Sequence, residues 1–429
     1  MSKVTSKPQV NPDPSATISF KQPFQDASDL DAFARHAAKT MIQQAIESEV
    51  QEFLDAHANR VDAQGRRYVI RNGHLPERQF LLAAGPIEIC QPRVRDKSPN
   101  PEDRVVFTPQ LLPRYLRRSK AVDELIPWMY LKGISTSDFP TALQSIFGES
   151  AKNLSANTVV RLKEKWTAEY EGWNKRDLAG KNYVYFWVDG VHVNVRLEDE
   201  ADRHQCILVI IGATADGRKE LVAVADGYRE SEASWTAVLQ DLKRRGLAID
   251  PKLAVGDGAL GFWAALRKMM PATKEQRCWF HKTANVLNCL PKSLQEKAKH
   301  EIHEIWMSPT KAKAEKAVKY FQETYGAKYP KAVECLLKDR DALLAFYDFP
   351  AEHWVHLRTG NPIESSFSTI RLRHRKTKGS GSRRTSLAMM FKLAESASRK
   401  WKRLKGYEKL EFVAKGHIFK DGELQQDAA

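Results

Sequence analysis

Three acids in this chain stand where they could act on a phosphodiester: Asp189, Asp257 and Glu364. Such chemistry with two metal ions needs oxygen ligands that converge on cations roughly 4 Å apart. Mg²⁺ takes one or two carboxylates per ion and completes its shell with water and phosphate. Asp189 follows the apolar run Tyr183-Val-Tyr-Phe-Trp-Val188 and precedes Gly190. A half-exposed strand would alternate apolar and polar residues. This run does not, so it reads as a strand buried on both faces that delivers a carboxylate at its C-terminal tip. The competing reading is a plain hairpin, because Asp-Gly is the preferred pair of a type I′ turn.

Asp257 closes a second strand-like piece, Lys252-Leu-Ala-Val-Gly256, and could equally cap the helix that follows. Acids at the tips of adjacent strands converge because neighbouring strands lie roughly 5 Å apart. Asp226-Gly227 also ends a strand, but two strands from Asp189, about 10 Å away and too far to share metals comfortably. Glu364 lies in Asn361-Pro-Ile-Glu364, which reads as a helix start with Asn at N-cap, Pro at N1 and Glu at N3, a capping box. Below Glu364 the same face carries Ser368, Arg371 and Arg375, while Ile363, Phe367 and Ile370 form an apolar face. A helix packed by one side and offering an acid with arginines on the other suits a DNA-cleaving site. No acid occurs from Ser365 to Ala394, whereas Arg371, Arg373, Arg375, Lys376, Lys378, Arg383 and Arg384 do. A solvated basic face is the ordinary reading of such a run, and phosphate contact is the functional one.

The elements that must position these groups follow from the pattern of the chain. A meander of strands around Tyr183–Arg196, Cys206–Thr214 and Leu221–Ala225 is followed by helix, strand, helix and a last short strand at Gln276–Phe280. That is the order of an RNase H-like sheet, in which the strand after the first helix lies beside strand one and parallel to it. The last strand carries Cys278 and His281. A zinc site completed by Cys289, His300 or His303 fits no established finger spacing. A strand-end pair that packs against the acids and orients them is the alternative. From Lys282 to about Trp354 the pattern is helical and rich in lysine, an all-α insertion.

Upstream, residues 1–25 are polar with four prolines and read as a disordered arm. A helix runs from Ser28 with Leu30, Phe33, Ala37, Met41, Val50, Phe53 and Leu54 on one face. Residues 60–76 read as a basic loop, and Gln79–Cys90 as a short hairpin around Ala84-Gly85-Pro86 leading to Pro92-Arg-Val-Arg95. Ala121–Tyr170 divides into three short helices, with Leu125, Met129 and Leu131 in the first, Phe139, Leu143 and Ile146 inward in the second, and Ser155 capping the third. As a helix-turn-helix they would present Asn157, Thr158 and Arg161 to the major groove; as a connector they would present nothing.

The chain of 429 residues carries 68 lysines and arginines against 53 acids, a net charge of +15, which favours a polyanionic partner and nucleic acid before membrane. Its longest apolar run is too short to span a bilayer, no charged-then-apolar segment opens it, and its five scattered cysteines suit a reducing compartment. The expected location is therefore the cytoplasm.

Together, the Val188-Asp-Gly190 and Gly256-Asp-Gly258 strands, Cys278-Trp-Phe-His281 and Arg358-Thr-Gly-Asn-Pro-Ile-Glu-Ser-Ser-Phe367 with its basic continuation resemble the Mutator-type transposases of bacterial insertion sequences. Arg71-Asn-Gly73, the Pro92-Arg93 pair and the Gly133-Ile-Ser-Thr136 element extend the likeness through nearly the whole chain. The resemblance implies a DDE triad of Asp189, Asp257 and Glu364 as catalytic and metal-holding residues, with two Mg²⁺ or Mn²⁺ ions. Cys278 and His281 take the family's C-x-x-H place as active-site support. It also implies binding to terminal inverted repeats and target DNA, strand cleavage and strand transfer, a circular element intermediate, a short target duplication, a homodimer or larger assembly on DNA, and a bacterial, nucleoid-associated location without membrane contact.

The expected architecture is an α/β RNase H-like catalytic core, a mixed five-stranded sheet flanked by helices, with an all-α insertion and mainly helical N-terminal DNA-binding regions. Its expected divisions are the arm 1–25, a helix and hairpin region 26–115, a helix-turn-helix-like region 116–175, the first part of the core 180–284, the insertion 285–357, the final core helix with its basic tract 358–405, and a tail 406–429. A DNA-binding regulator whose acids are structural turns, and a nuclease without strand transfer, are the rival readings.

Overall fold

The computed structural model describes residues 30–134, 138–147, 156–195, 204–227, 229–258, 260–365, 367, 371–372 and 381–425. The chain forms two compact units, one of Met1–Leu125 with Pro140–Leu154, the other of Ile126–Phe139 with Ser155–Ala429.

In the first unit, helix α1 (Leu30–Ala56) buries Ile46 and Val50 and packs on the hairpin of β2 (Arg78–Leu82) and β3 (Gly85–Ile89) through Phe80, Ile87 and Ile89. Its buried face is thus carried by its second half. Leu30 and Met41, expected inward, are exposed. Gln43 fixes the pairing by donating to the Cys90 carbonyl at 2.6 Å. The stretch read as a basic loop holds strand β1 (Val69–His74), paired antiparallel with β4 (Pro92–Asp96). Only Val69 of β1 is buried, which leaves no alternation for a sequence reading to find.

Helices α2 (Lys120–Leu131), α3 (Phe139–Phe147) and α4 (Ala156–Asn174) stand where three short helices were expected. In α3, Phe139, Leu143 and Phe147 are buried and Ile146 is exposed, a turn-by-turn shift from the expected face. Most of α3 belongs to the first unit and α4 to the second. Within the second unit α4 is a core element: Trp166 and Tyr170 are buried, and the Tyr170 hydroxyl donates to the Val224 carbonyl at 2.8 Å.

The second unit is built on a five-stranded sheet of order β7-β6-β5-β8-β9. Strands β5 (Tyr183–Asn194), β6 (His204–Thr214) and β7 (Lys219–Gly227) form an antiparallel meander. Strand β8 (Leu253–Gly256) returns beside β5 and parallel to it, as expected, with β9 (Lys274–Arg277) parallel beyond it. Helices α5 (Glu232–Arg244) and α6 (Leu260–Met269) make the two crossovers. One face of β5 packs Phe186 and Val188 against Trp235 and Leu239 of α5 and Phe262 and Leu266 of α6. The other packs Tyr185, Trp187, Val191 and Val193 into a second core shared with the downstream helices. Both faces are dry, which is why the strand reads as an unbroken apolar run.

Of the two readings of this strand, a tip at Asp189 or a run on toward Arg196, the longer one holds. Asp189 is not the tip of β5: the strand runs on to Asn194, paired with β6 throughout. Val191 and Val193 keep the inward alternation going, so nothing ends the strand at Gly190. On its other edge, however, β5 pairs with β8 only over Tyr185–Trp187. Asp189 therefore sits just past the point where its parallel neighbour stops.

The lysine-rich stretch is helical but broken into α7 (Trp279–Leu287), α8 (Lys292–Met307), α9 (Lys311–Tyr325) and α10 (Pro330–Leu337). Pro291, the Thr310 cap and Pro330 supply the breaks. Ile302, Ile305, Val318 and Phe321 join the same core as Trp187, so these helices cover one face of the sheet. The helix Arg383–Ser398 packs there too, through Met389, Phe391 and Leu393. Residues 406–425, expected as a tail, are folded: helix Leu410–Lys415 and the pair β10 (Phe419–Lys420) and β11 (Glu423–Leu424) bury Leu410, Val413 and Phe419 in this core.

Trp187 is fully buried and its Nε1 donates to the His356 carbonyl at 2.9 Å. Trp187→Ala should cost about 3–5 kcal/mol of unfolding free energy, as truncation of large buried aromatics does. A denaturant titration checks this, and a loss below about 1 kcal/mol would mean that the sheet does not depend on this core.

Candidate active site

Asp189 is 9 % exposed, and its Oδ1 accepts the Gly190 N–H at 2.8 Å. Its Oδ2 is buried and accepts no hydrogen bond among the described residues. Burial, then the charges of Asp257 and Glu230, push its carboxyl up to about 7, while the Gly190 N–H and the Arg371 charge act the other way. A carboxylate desolvated beside two others is an unfavourable ion, and a cation is what would relieve it.

Asp257 directly follows β8. The turn after it depends on Gly258, whose φ of +92° suits glycine and whose missing Cβ would lie 1.3 Å from Arg277 Nη1. The buried Arg277 thus passes under the Asp257-Gly258 turn, with its Nε 3.4 Å from Asp339.

Glu230 was not singled out from the sequence. It precedes Ser231, whose hydroxyl caps α5 by accepting the Ser234 N–H at 3.2 Å. Its carboxylate lies against Gly190, where a Cβ would stand 2.2 Å from Oε1, and 3.4 Å from His192 Nε2. Burial and the Asp257 charge raise its carboxyl, opposed by His192. Donor atoms of Glu230, His192 and Cys206 all lie within 4.8 Å of one another. An acid one residue before a helix cap is too common to stand out in a sequence.

Glu364 departs from the capping-box reading. The Gly360 carbonyl accepts from both Ile363 N and Glu364 N, so Gly360 holds the cap position and Asn361 is already inside the helical turn 361–365. The Glu364 carboxylate points instead to His281, with Oε1 3.6 Å from Nδ1. Cys278 Sγ accepts the Gly360 N–H at 3.2 Å, and donor atoms of Cys278, His281 and Glu364 lie within 4.8 Å of one another. The segment before Glu364 is fastened by Trp279 N donating to the Arg358 carbonyl at 2.9 Å, and by the Arg358 guanidinium over the rings of Phe346 and Trp354 at 4.8 and 5.1 Å. Cys289 is exposed, and His303 meets the Trp306 ring edge-on with centroids 4.6 Å apart.

The structure therefore brings Asp189, Asp257 and Glu230 into one electrostatic group. It places Glu364 with Cys278 and His281 at the end of β9, the strand beside β8. Asp257 follows β8 and Cys278 follows β9, and among the described residues the donor atoms of Glu364 group with Cys278 and His281 alone. Residues 14–403 match the family described as transposase, Mutator family. The chain belongs to that family. The transposase for insertion sequence element IS6120 of Mycolicibacterium smegmatis is 52% identical over 303 residues, 71% of this chain and 92% of that one. The transposase for insertion sequence element IST2 of Acidithiobacillus ferrooxidans is 49% identical over 288 residues, 66% of this chain and 94% of that one. A likeness to the Drosophila P element transposase strand transfer complex, with a TM-score of 0.28 and 11% identity over 73% of this chain and 85% of that one, is too weak to argue from.

A Mutator-family transposase cuts and joins DNA, so its basic groups matter. Arg371 and Arg161 are exposed. Arg383 is engaged inside the chain: Nε and Nη2 reach the two oxygens of Asp226 at 2.9 and 2.8 Å. Arg384 pairs with Glu171 through Nε at 2.9 Å. The expectation that Arg383 and Arg384 contact phosphate thus meets two guanidiniums already paired, and Asp226, the rival to Asp257, is held two strands from Asp189 by Arg383. Side chains of Asn157 and Thr158, and residues Arg373, Arg375, Lys376 and Lys378, lie outside the described residues.

The raised carboxyl of Asp189 has a stability consequence with a definite sign. Its folded form prefers the proton, so its favourable contribution is complete below about pH 4 and is lost as pH rises through about 7. In EDTA, Asp189→Asn should melt above the unsubstituted protein at pH 8, and the gap should close toward pH 4. A pH series of melting curves checks this. A gap that is flat with pH would mean that Asp189 is not desolvated.

Proposed function

We propose that Asp189, Asp257 and Glu364 are the catalytic acids of a DDE transposase that binds the terminal inverted repeats of its insertion sequence, cleaves a strand at the element end and transfers the exposed 3′-OH to target DNA. The observation that carries this reading is the Oδ2 of Asp189, buried and without a hydrogen-bond partner among the described residues, at the edge where β8 stops and Asp257 follows. The strand order, with an antiparallel meander and then two parallel strands on the other side of β5, supports an RNase H-like core. The donor set is oxygen-rich and suits Mg²⁺ or Mn²⁺, two ions by the chemistry required. Such ions would activate the attacking oxygen and neutralise charge that builds on the phosphorane-like transition state.

The remaining work belongs to the chain itself. Asp189 and Asp257 are fixed by a sheet that is dry on both faces, so the distance between their strands cannot drift. Glu364 is set by the clamp of Cys278 on Gly360 and by His281, which fits an orienting role for that pair. Arg371, exposed and acting electrostatically on Asp189, is placed to hold a phosphate beside the acids. DNA strands, the element ends first and the target second, are the substrate, and two ends are most simply held by a homodimer or larger assembly. Among the described residues no helix is long and apolar enough to cross a membrane, and we place the protein in the bacterial cytoplasm, on the nucleoid.

Glu364→Gln tests the reading, because glutamine keeps shape but removes the charge that holds a hard cation. Melting should barely move, and nicking of element-end DNA in Mg²⁺ should fall by at least about a hundredfold, a few kcal/mol in the barrier. Asp189→Asn and Asp257→Asn should lose nicking by a similar factor, with end binding retained. Asp226→Ala, which breaks only a partly exposed ion pair, should keep cleavage. Full nicking by Glu364→Gln at an unchanged melting temperature would remove it from the triad. Arg371→Ala should weaken DNA binding and lower its salt slope by about one.

A further inference from the structure

Where β5 and β6 run on past Asp189, three side chains of different chemistry meet on one face of the sheet. His192 of β5 and Cys206 of β6 are directly opposed in the antiparallel register, which sets their Cβ atoms about 5 Å apart on the same face. Alternation along β5 puts Gly190 and His192 on the face of Phe186 and Val188, opposite the Asp189 side chain. Glu230 arrives from the segment between β7 and α5, and two glycines let that segment down onto the strands. A Cβ on Gly190 would stand 2.2 Å from Glu230 Oε1. One on Gly227, which pairs with Cys206 from β7, would stand 3.2 Å from the Arg229 carbonyl. Donor atoms of His192, Cys206 and Glu230 thereby all lie within 4.8 Å of one another, with His192 Nε2 3.4 Å from Glu230 Oε1. A tetrahedral ion with bonds of roughly 2.0–2.3 Å spaces its donors roughly 3.3–3.8 Å apart.

Each residue has an ordinary explanation by itself. Cys206 packs as a small apolar side chain in the core of Phe186 and Leu208. The His192–Glu230 pair is largely exposed on the histidine side and contributes little as an ion pair. Neither explanation says why a carboxylate is seated over a glycine and beside a thiol. The donor set says what would hold them together. One nitrogen, one sulfur and one oxygen do not suit Mg²⁺, which takes oxygen, but they are the ligand types of Zn²⁺. Burial pushes the Cys206 thiol up to about 12, so it carries a proton that a coordinated ion would displace. We infer that His192, Cys206 and Glu230 form a zinc site that ties β5, β6 and the lead-in to α5 together, with its fourth position open to water beside the exposed imidazole. The site uses none of Asp189, Asp257 and Glu364, so it stands or falls separately from their reading as catalytic acids.

The test is Co²⁺ titration of the full-length protein under reducing, anaerobic conditions, with Co²⁺ as the coloured stand-in for Zn²⁺. The thiolate-to-cobalt charge-transfer band reports only ions bound to sulfur, so ions held by carboxylates elsewhere do not show. The unsubstituted protein should develop this band, and added Zn²⁺ should erase it. Cys206→Ala should lack the band and Cys278→Ser should keep it. His192→Ala and Glu230→Gln should each weaken Co²⁺ binding at least about tenfold, the least that even outer partners of metal ligands cost. His192 is 67% exposed in its side chain, so a loss in His192→Ala reads the ligand and not the fold. A band that survives in Cys206→Ala, or that Cys278→Ser removes, overturns the site. So does the absence of any band in the unsubstituted protein, or unchanged Co²⁺ affinity in His192→Ala or Glu230→Gln.

Discussion

The constraint on which the second unit depends is the place where β8 stops. For three residues β5 has a parallel neighbour, and at Asp189 it no longer does, although β6 continues to pair with it on the other edge. A side chain at that position is held with the rigidity of a central strand, yet its flank is open to whatever lies beyond Gly256. Rigidity without enclosure is what a reacting group needs. The cores on the two faces of the sheet exist in the service of that position. Without Trp187, Phe186 and Val188 the Asp189 carboxylate would have no fixed address.

Each acid is accompanied by a glycine, and in each case the reason is space. Gly190 leaves room for Glu230, Gly258 for Arg277, and Gly360 for Glu364, whose Oε1 a Cβ would approach at 3.1 Å. Only Gly258 of these three adopts a positive φ. The Asp189-Gly190 pair therefore looks like a hairpin turn in sequence but is none; it lies inside a strand, and its glycine is a point of close approach. The same confusion affects Glu364, where Asn361-Pro362 mimics a cap that Gly360 supplies.

This explains how much was legible. The buried strand, the parallel return of β8, the hairpin of β2 and β3, and Asp189 and Asp257 as near neighbours follow from periodicity and strand counting, because each is a local pattern with one packing consequence. The extension of β5 was legible as one of two readings: Val191 and Val193 continue the strand, and only the Asp-Gly pair favoured a tip at Asp189. Strand β1 was hidden because a mostly exposed strand has no alternation to show. Glu230 and the Arg383–Asp226 pair were hidden for a different reason: both join residues far apart in the chain, and nothing local marks either partner.

The electrostatics of the molecule pose a last question, since the chain carries +15 overall and its centre carries acids. A polyanion drawn in by long-range attraction meets repulsion at the point of reaction. Part of the basic tract is engaged within the chain: Arg383 is paired with Asp226, whereas Arg384, paired with Glu171, stays largely exposed. If the acids hold metal ions as proposed, cations at the carboxylates would resolve the conflict, because they would answer the repulsion among the acids and the repulsion between acids and phosphate at once. Metal and DNA are then thermodynamically linked: each lowers the cost of binding the other, and by the same factor in both directions. A centre built from crowded carboxylates is poor at holding either ligand alone. On the proposed reading, such a centre would gain affinity for both when both are present.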